Sequence, residues 1–163
     1  MRILLTGATG YIGSRLVTEL LEAGHQVVVT SRNPARLGDY GWFEDVTVVA
    51  MDARESDSVA VAFELAGQID VVYYLLHGIG ETGFRESDNR AAANVAEAAR
   101  GAGARRIGYL GGFVPAGEML SDHLAGRAEV AEALHVDGGA EVVWLGAALI
   151  IGAGSTSFEI LRY

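Results

Sequence analysis

Residues 6–13 read Thr6-Gly7-Ala8-Thr9-Gly10-Tyr11-Ile12-Gly13. Before this octet lies Ile3–Leu5, a short apolar run of β type. After it, Tyr11 to Ala23 carries apolar residues at 12, 16, 17, 20 and 21, the stripe of an amphipathic helix. A glycine turn between a strand and a helix meets three physical needs. The tight turn needs a residue without Cβ, close approach of a ligand to the backbone needs a second, and packing of helix on strand needs a third. Glycine makes up 22 of the 163 residues, so the spacing alone is weak evidence and the strand-to-helix context decides. Backbone N–H groups at such a helix start, aided by the helix dipole, suit an anion. Gly7, Ala8, Thr9, Gly10, Tyr11, Ile12 and Gly13 are therefore the candidate cradle for the pyrophosphate of a dinucleotide.

Outward from the loop, apolar runs alternate with helical patterns. Gly24 reads as the glycine after a helix end. Gln26–Thr30 is β-branched and strand-like. Asn33-Pro34 reads as an N-cap with proline at the first helical position. Val46–Ala50 is the next strand and Ser56–Ala66 the next helix. Asp70–Leu76 reads as a strand buried on both faces. Ser87–Ala102 is an alanine-rich helix closed by Gly101 and Gly103. Arg106–Leu110 is a strand, Ser121–His135 a helix with Ser121 as N-cap, and Glu141–Leu145 a strand whose apolar run continues through Ile151. This alternation predicts an α/β fold, a doubly wound parallel sheet of Rossmann type in three layers. Residues 1–152 are expected to form the dinucleotide-binding domain. Residues 153–163 are expected to open a C-terminal substrate region that continues further, because Ser157–Tyr163 starts an amphipathic helix that no cap closes. Small residues at 91, 92, 95, 96, 98 and 99 permit close packing on the sheet or, alternatively, a homodimer contact.

Half of the residues are hydrophobic and 20% are charged, which argues for a folded domain. The absence of cysteine excludes disulfides and thiolate metal sites. The net charge of −9, with no basic cluster beyond Arg105-Arg106, argues against nucleic acid as a partner. The N-terminal apolar run is too short for a signal peptide, and the longest uncharged stretch, 142–154, is too short to span a bilayer. A cytoplasmic protein away from the membrane is expected. All twelve basic residues are arginine.

A dinucleotide site selective for NAD places Asp or Glu about 20 residues beyond the loop to hold the ribose 2′-hydroxyl. Here that place reads Thr30-Ser31-Arg32-Asn33. Arg32 can pair with a 2′-phosphate and Ser31 can donate to it, which favours NADP(H) over NAD(H). Asp52 and Ala53 follow the third strand, where a carboxylate can accept from the adenine amino group. Leu75, Leu76 and His77 end the fourth strand, at the point where the sheet order is expected to reverse and line a ribose.

TGATGYIGSRL, the TSRNP after the second strand and the YLGG of the fifth together resemble the short-chain dehydrogenase/reductase superfamily. More narrowly, they resemble its atypical and extended branch, with NmrA-like and nucleoside-diphosphate-sugar epimerase relatives. The resemblance covers essentially the whole chain and implies an oxidoreductase or epimerase-like activity on a small-molecule substrate. It also implies a catalytic set: Ser or Thr after the fifth strand, and Tyr-x-x-x-Lys on the next helix. This sequence departs from each member. Gly111-Gly112 stand at the hydroxyl position, His123 at the Tyr position and Arg127 at the Lys position. A neutral His123 can do acid–base work near pH 7, and Arg127 can hold a ribose hydroxyl, although its charge disfavours a protonated His123. The alternative is a non-catalytic module that senses NADP(H) or binds a partner.

Overall fold

The computed structural model describes residues 1–78, 83–113, 121–155 and 160. The elements are β1 (Arg2–Thr6), α1 (Tyr11–Glu22), β2 (Gln26–Ser31), β3 (Thr47–Ala50), α2 (Ser56–Ala66), β4 (Val71–Tyr74), α3 (Phe84–Gly101), β5 (Arg106–Gly112), α4 (Asp122–Ala133) and β6 (Glu141–Ala147). Short 3-10 turns at Pro34–Leu37 and Phe43–Asp45 fill the link between β2 and β3. The sheet order is β3-β2-β1-β4-β5-β6 and every neighbouring pair is parallel. The chain steps outward from β1 to β3, then returns to place β4 on the other side of β1. The order therefore reverses between β1 and β4, and a crevice opens above their C-terminal ends.

Alternation along the strands sorts the core into two faces. Ile3, Leu5, Val27 and Val29 meet Val17 and Leu20 of α1. Leu4, Val28, Val72, Ile107 and Tyr109 meet α2, α3 and α4 on the opposite face. Helices thus cover both faces, as the parallel pattern demands, but three lie on one side and α1 lies on the other. This asymmetry corrects the reading of the fourth strand. Val72 and Tyr74 are buried while Val71 and Tyr73 are only half-buried, because α1 lies over β1 and β2. At the edge of the sheet, Val143 and Leu145 are 38% and 54% exposed.

Several boundaries also shift. β4 ends at Tyr74 rather than Leu76, because the Thr6 side chain takes over the ladder there. Its hydroxyl donates to the Tyr73 carbonyl (3.2 Å) and accepts from the Leu75 N–H (3.0 Å). α3 begins at Phe84, three residues before Ser87, after Gly83 in the left-handed region (φ +78°). β6 runs to Ala147, two residues beyond Leu145, and the apolar run through Ile151 lies past its end. Asn33 precedes the Pro34 turn but its side chain makes no cap; its N–H instead donates to the Ser31 hydroxyl (3.1 Å). Ser121 does cap α4, accepting from the Leu124 N–H at 3.3 Å. The helix expected over 157–163 falls outside the described residues, Ile160 aside.

The alanine stripe of α3 is used on the sheet: Ala91, Ala92, Val95, Ala96 and Ala99 are all buried. α4 packs beside it. A Cβ on Gly126 would stand 3.1 Å from the Arg85 Cγ, so glycine sets the spacing of the two helices. Arg85 pairs with Glu129, and the Asn89 amide donates to the same carboxylate (3.1 Å). The arginine beside it holds the Glu129 carboxyl below the usual carboxylate range. Such close packing leaves no room for growth. Ala92→Leu is expected to cost about 1–3 kcal/mol, lowering Tm by about 2–4 °C per kcal/mol for a chain of this size; calorimetric melting checks it.

Candidate functional site

The glycine loop sits at the reversal point, and its glycines are required by contact. Gly7 has φ +75°, and a Cβ there would stand 2.9 Å from the Leu75 carbonyl oxygen across the β1–β4 gap. A Cβ on Gly13 would overlap the Gly7 carbonyl and stand 3.0 Å from the Ala8 Cα. The Gly10 N–H donates to the Gly7 carbonyl at 3.0 Å and closes the turn. Gly10 is also the N-cap of α1, so no side-chain cap accepts from the first amides, and the first turn holds no acidic residue. An electropositive helix start without its own acceptor suits a phosphate. The close passage of backbone over backbone here is the feature that fits a dinucleotide.

The seven loop residues do not act alike. Gly7 and Thr9 line the crevice, whose volume is about 660 Å³. Ala8 is buried in the α1-side core and does not line the crevice, and Ile12 is half-buried. Tyr11 turns sideways, with the Arg15 guanidinium 3.8 Å above its ring. The Thr9 carbonyl accepts from the Tyr40 hydroxyl at 3.0 Å, and Tyr40 stacks on Trp42 with ring centroids 4.8 Å apart. This ties the segment after β2 to the glycine loop.

At the end of β2, Ser31 and Arg32 both line the crevice. The Ser31 hydroxyl already accepts from the Asn33 N–H, which leaves its proton to donate. Arg36 lines the same wall and went unread in the sequence. Its signal was there: Pro34 fixes a 3-10 turn, which returns residue 36 toward the strand end. Neither Arg32 nor Arg36 is salt-bridged among the described residues.

Asp52 and Ala53 occupy the turn after β3. Asp52 is engaged: Arg54 donates from Nη2 to Oδ2 (2.8 Å) and from Nε to Oδ1 (3.1 Å), and the Arg54 N–H donates to Oδ1 (3.1 Å). These bonds hold its carboxyl below the ordinary range, with Arg32 adding to the effect. Any adenine amino group would share that carboxylate with Arg54. Ala53 is buried, and its carbonyl accepts from the Asn94 side chain (3.0 Å). Beyond β4, Leu76 and His77 line the crevice. Leu75 does not, because it backs Gly7 and packs toward the α1-side core. Asp88, also unread in the sequence, lines this wall and accepts from the Gly78 N–H at 2.8 Å.

The region expected to carry catalysis is packed rather than polar. A Cβ on Gly111 would overlap the Trp144 indole nitrogen and stand 2.7 Å from the Tyr109 ring. One on Gly112 would stand 2.8 Å from the Leu124 side chain. Tyr109 donates to the Arg127 carbonyl (3.1 Å), and burial pushes its hydroxyl up. Arg127 is half-buried beside Gly112. His123 lies in the first turn of α4, one turn before Arg127, and its side chain lies outside the described residues. Among the described residues, no group of three His, Asp or Glu could hold a metal ion, and no helix is long and apolar enough to cross a membrane.

A family model described as NAD(P)H-binding matches residues 7–142. The chain belongs to that family. The matched span runs from the glycine loop into β6, so it takes in the crevice and both of its walls. The chain is 35% identical over 118 residues to the chloroplastic divinyl chlorophyllide a 8-vinyl-reductase of Oryza sativa subsp. indica, covering 66% of this chain and 29% of that one. Among solved structures, Citrobacter sp. triphenylmethane reductase complexed with NADP(H) superposes with a TM-score of 0.64 at 25% identity, over 82% of this chain and 45% of that one. The Bordetella bronchiseptica enzyme WbmG, in complex with NAD and UDP, superposes with a TM-score of 0.73 at 20% identity, over 90% and 52% of the two chains. This NAD(P)H-binding chain thus spans about half the length of its structural relatives, and less than a third of the chlorophyllide reductase. The resemblance to the atypical short-chain dehydrogenase/reductases is borne out, as is the Rossmann-type fold.

Proposed function

We propose that this NAD(P)H-binding domain prefers NADP(H) and serves an oxidoreductase or epimerase-like enzyme acting on a small-molecule substrate. The observation that carries the reading is the end of β2. Arg32 and Arg36 stand together on the crevice wall where a carboxylate would select NAD(H), and the Ser31 proton is available beside them. When bound, the nicotinamide would supply hydride transfer. The chain's own part is to take the pyrophosphate on the amides of the α1 start, the 2′-phosphate on Arg32, Ser31 and Arg36, and the adenosine between the β3 and β4 turns. The NADP(H) complex of triphenylmethane reductase supports this choice, and the NAD complex of WbmG sets the contrast to be tested.

A second reading, a non-catalytic NADP(H)-sensing module, is favoured by the packing of Trp144 and Tyr109 against Gly111, which leaves no room there for the usual hydroxyl. Titration calorimetry with NADP⁺ and NAD⁺ tests the cofactor claim. NADP⁺ is expected to bind at least about tenfold tighter, the worth of one charge-assisted contact. Equal affinities remove the preference, and no binding of either removes the cofactor reading. Turnover of a carbonyl substrate panel that is lost in His123→Ala supports the enzyme; binding without turnover supports the sensing module.

A further inference from the structure

The segment after β6 returns to the glycine loop. Residues 152–155 form a turn: the Ser155 N–H donates to the Gly152 carbonyl (2.9 Å), the Gly152 N–H donates to the Ser155 hydroxyl (3.3 Å), and Gly154 adopts φ +83°. Ser155 is buried. The turn is seated on the start of α1. Arg15 donates from Nη2 to the Ala153 carbonyl (3.1 Å) and from Nη1 to the Tyr11 carbonyl (3.0 Å), while its guanidinium lies over the Tyr11 ring. The Tyr11 hydroxyl rests against Gly152 so closely that a Cβ on that glycine would overlap it. Arg15 is exposed and its sequence position gave no reason to single it out. Yet a single side chain bridges the helix start and a turn 138 residues further on.

Tyr11 is the first residue of the helix whose amides would take the pyrophosphate. Tyr11 directly follows Gly10, the N-cap of that helix, so whatever holds Tyr11 against the 152–155 turn also holds the helix start. We propose that Arg15 is a positioning residue for the nucleotide: it clamps the turn after β6 onto the start of α1, and so fixes the helix start whose amides would take the pyrophosphate. This rests on the reading of the crevice as an NAD(P)(H) site. The clamp acts on the part common to both dinucleotides, so it should affect NADP⁺ and NAD⁺ alike. It should leave 2′-AMP alone, because that nucleotide has no 5′-phosphate and needs only the adenosine end.

The experiment compares wild type, Arg15→Met and Gly152→Ala by calorimetry with NADP⁺, NAD⁺ and 2′-AMP, alongside amide exchange of a peptide spanning 152–155. Arg15→Met is expected to raise both dinucleotide Kd values by about five- to tenfold, the worth of a cation–π contact and one or two hydrogen bonds at an exposed site. The 2′-AMP affinity should hold and exchange at 152–155 should quicken. Gly152→Ala, which dislodges the Tyr11 hydroxyl from the other side, should give the same pattern. An equal loss on 2′-AMP, or quickened exchange with unchanged dinucleotide affinity, overturns the role of Arg15 while the cofactor reading stands. Unchanged exchange shows that Arg15 is not the anchor. Failure of the wild type to bind any of the three nucleotides removes the cofactor reading and this role with it.

Discussion

Arg32→Glu is expected to weaken NADP(H) binding by about a hundredfold or more, and to leave NAD(H) binding unchanged or slightly improved. The wild-type guanidinium can offer two donors to a 2′-phosphate, and charge-assisted bonds of this kind are worth about 1.5–3 kcal/mol. Reversal removes them and sets a carboxylate against a phosphate carrying about −1.5 to −2 charges. At about 1.4 kcal/mol per tenfold, roughly 3 kcal/mol gives the hundredfold figure. The same carboxylate can accept from a ribose hydroxyl, which is why NAD(H) escapes the loss. Arg36→Ala should give a smaller loss in the same direction, because a neutral replacement adds no repulsion. Both losses should shrink as salt is raised, since both arginines are exposed. Equal losses for the two cofactors would mean that Arg32 does not touch the 2′-phosphate.

Gly13→Ala is expected to abolish binding of both cofactors and to destabilise the fold by about 1–3 kcal/mol, the usual cost of forcing atoms into a packed site. The added Cβ would overlap the Gly7 carbonyl and press on the Ala8 Cα. Those neighbours are backbone and cannot swing aside as a side-chain tip can. Relief requires the loop to lift from the helix, and the Gly10-to-Gly7 hydrogen bond lies within that loop. Gly41→Ala supplies the control: a Cβ there meets nothing within 4 Å, so neither Tm nor affinity should move. Thermal melts and calorimetry read both variants. A Gly13→Ala protein that binds normally would show the loop to be far more compliant than its contacts indicate.

Much of this architecture was legible because it rests on local patterns. The glycine octet, the β-branched runs and the alanine stripe of α3 each carry their own periodicity, and together they fixed the strand order's class. What escaped the sequence depends on contacts between distant segments. Asp52 and Arg54 are two residues apart, but only the turn geometry shows the arginine folding back on the carboxylate. Arg36 joins Arg32 only through the Pro34 turn. The pair Gly111-Gly112 read as a missing hydroxyl, whereas the structure shows the space filled by Trp144, Tyr109 and Leu124, which no spacing rule could reveal. The apolar Leu75 and Leu76 extend the strand pattern past the end of β4 at Tyr74, while the residue that takes over the ladder there is a threonine on β1.

That threonine has a consequence for how the motif should be interpreted. The Thr6 hydroxyl serves the Tyr73 carbonyl and the Leu75 N–H at once, and Thr6 is fully buried. Valine has the same outline but would remove both bonds, and a buried group left unsatisfied by such a loss costs about 1–3 kcal/mol. The first letter of the signature is thus a rivet across the seam where the two halves of the fold part. The two bonds join β1 to β4 whether or not the crevice is filled, so Thr6→Val is expected to lower Tm by itself, which a thermal melt without nucleotide checks.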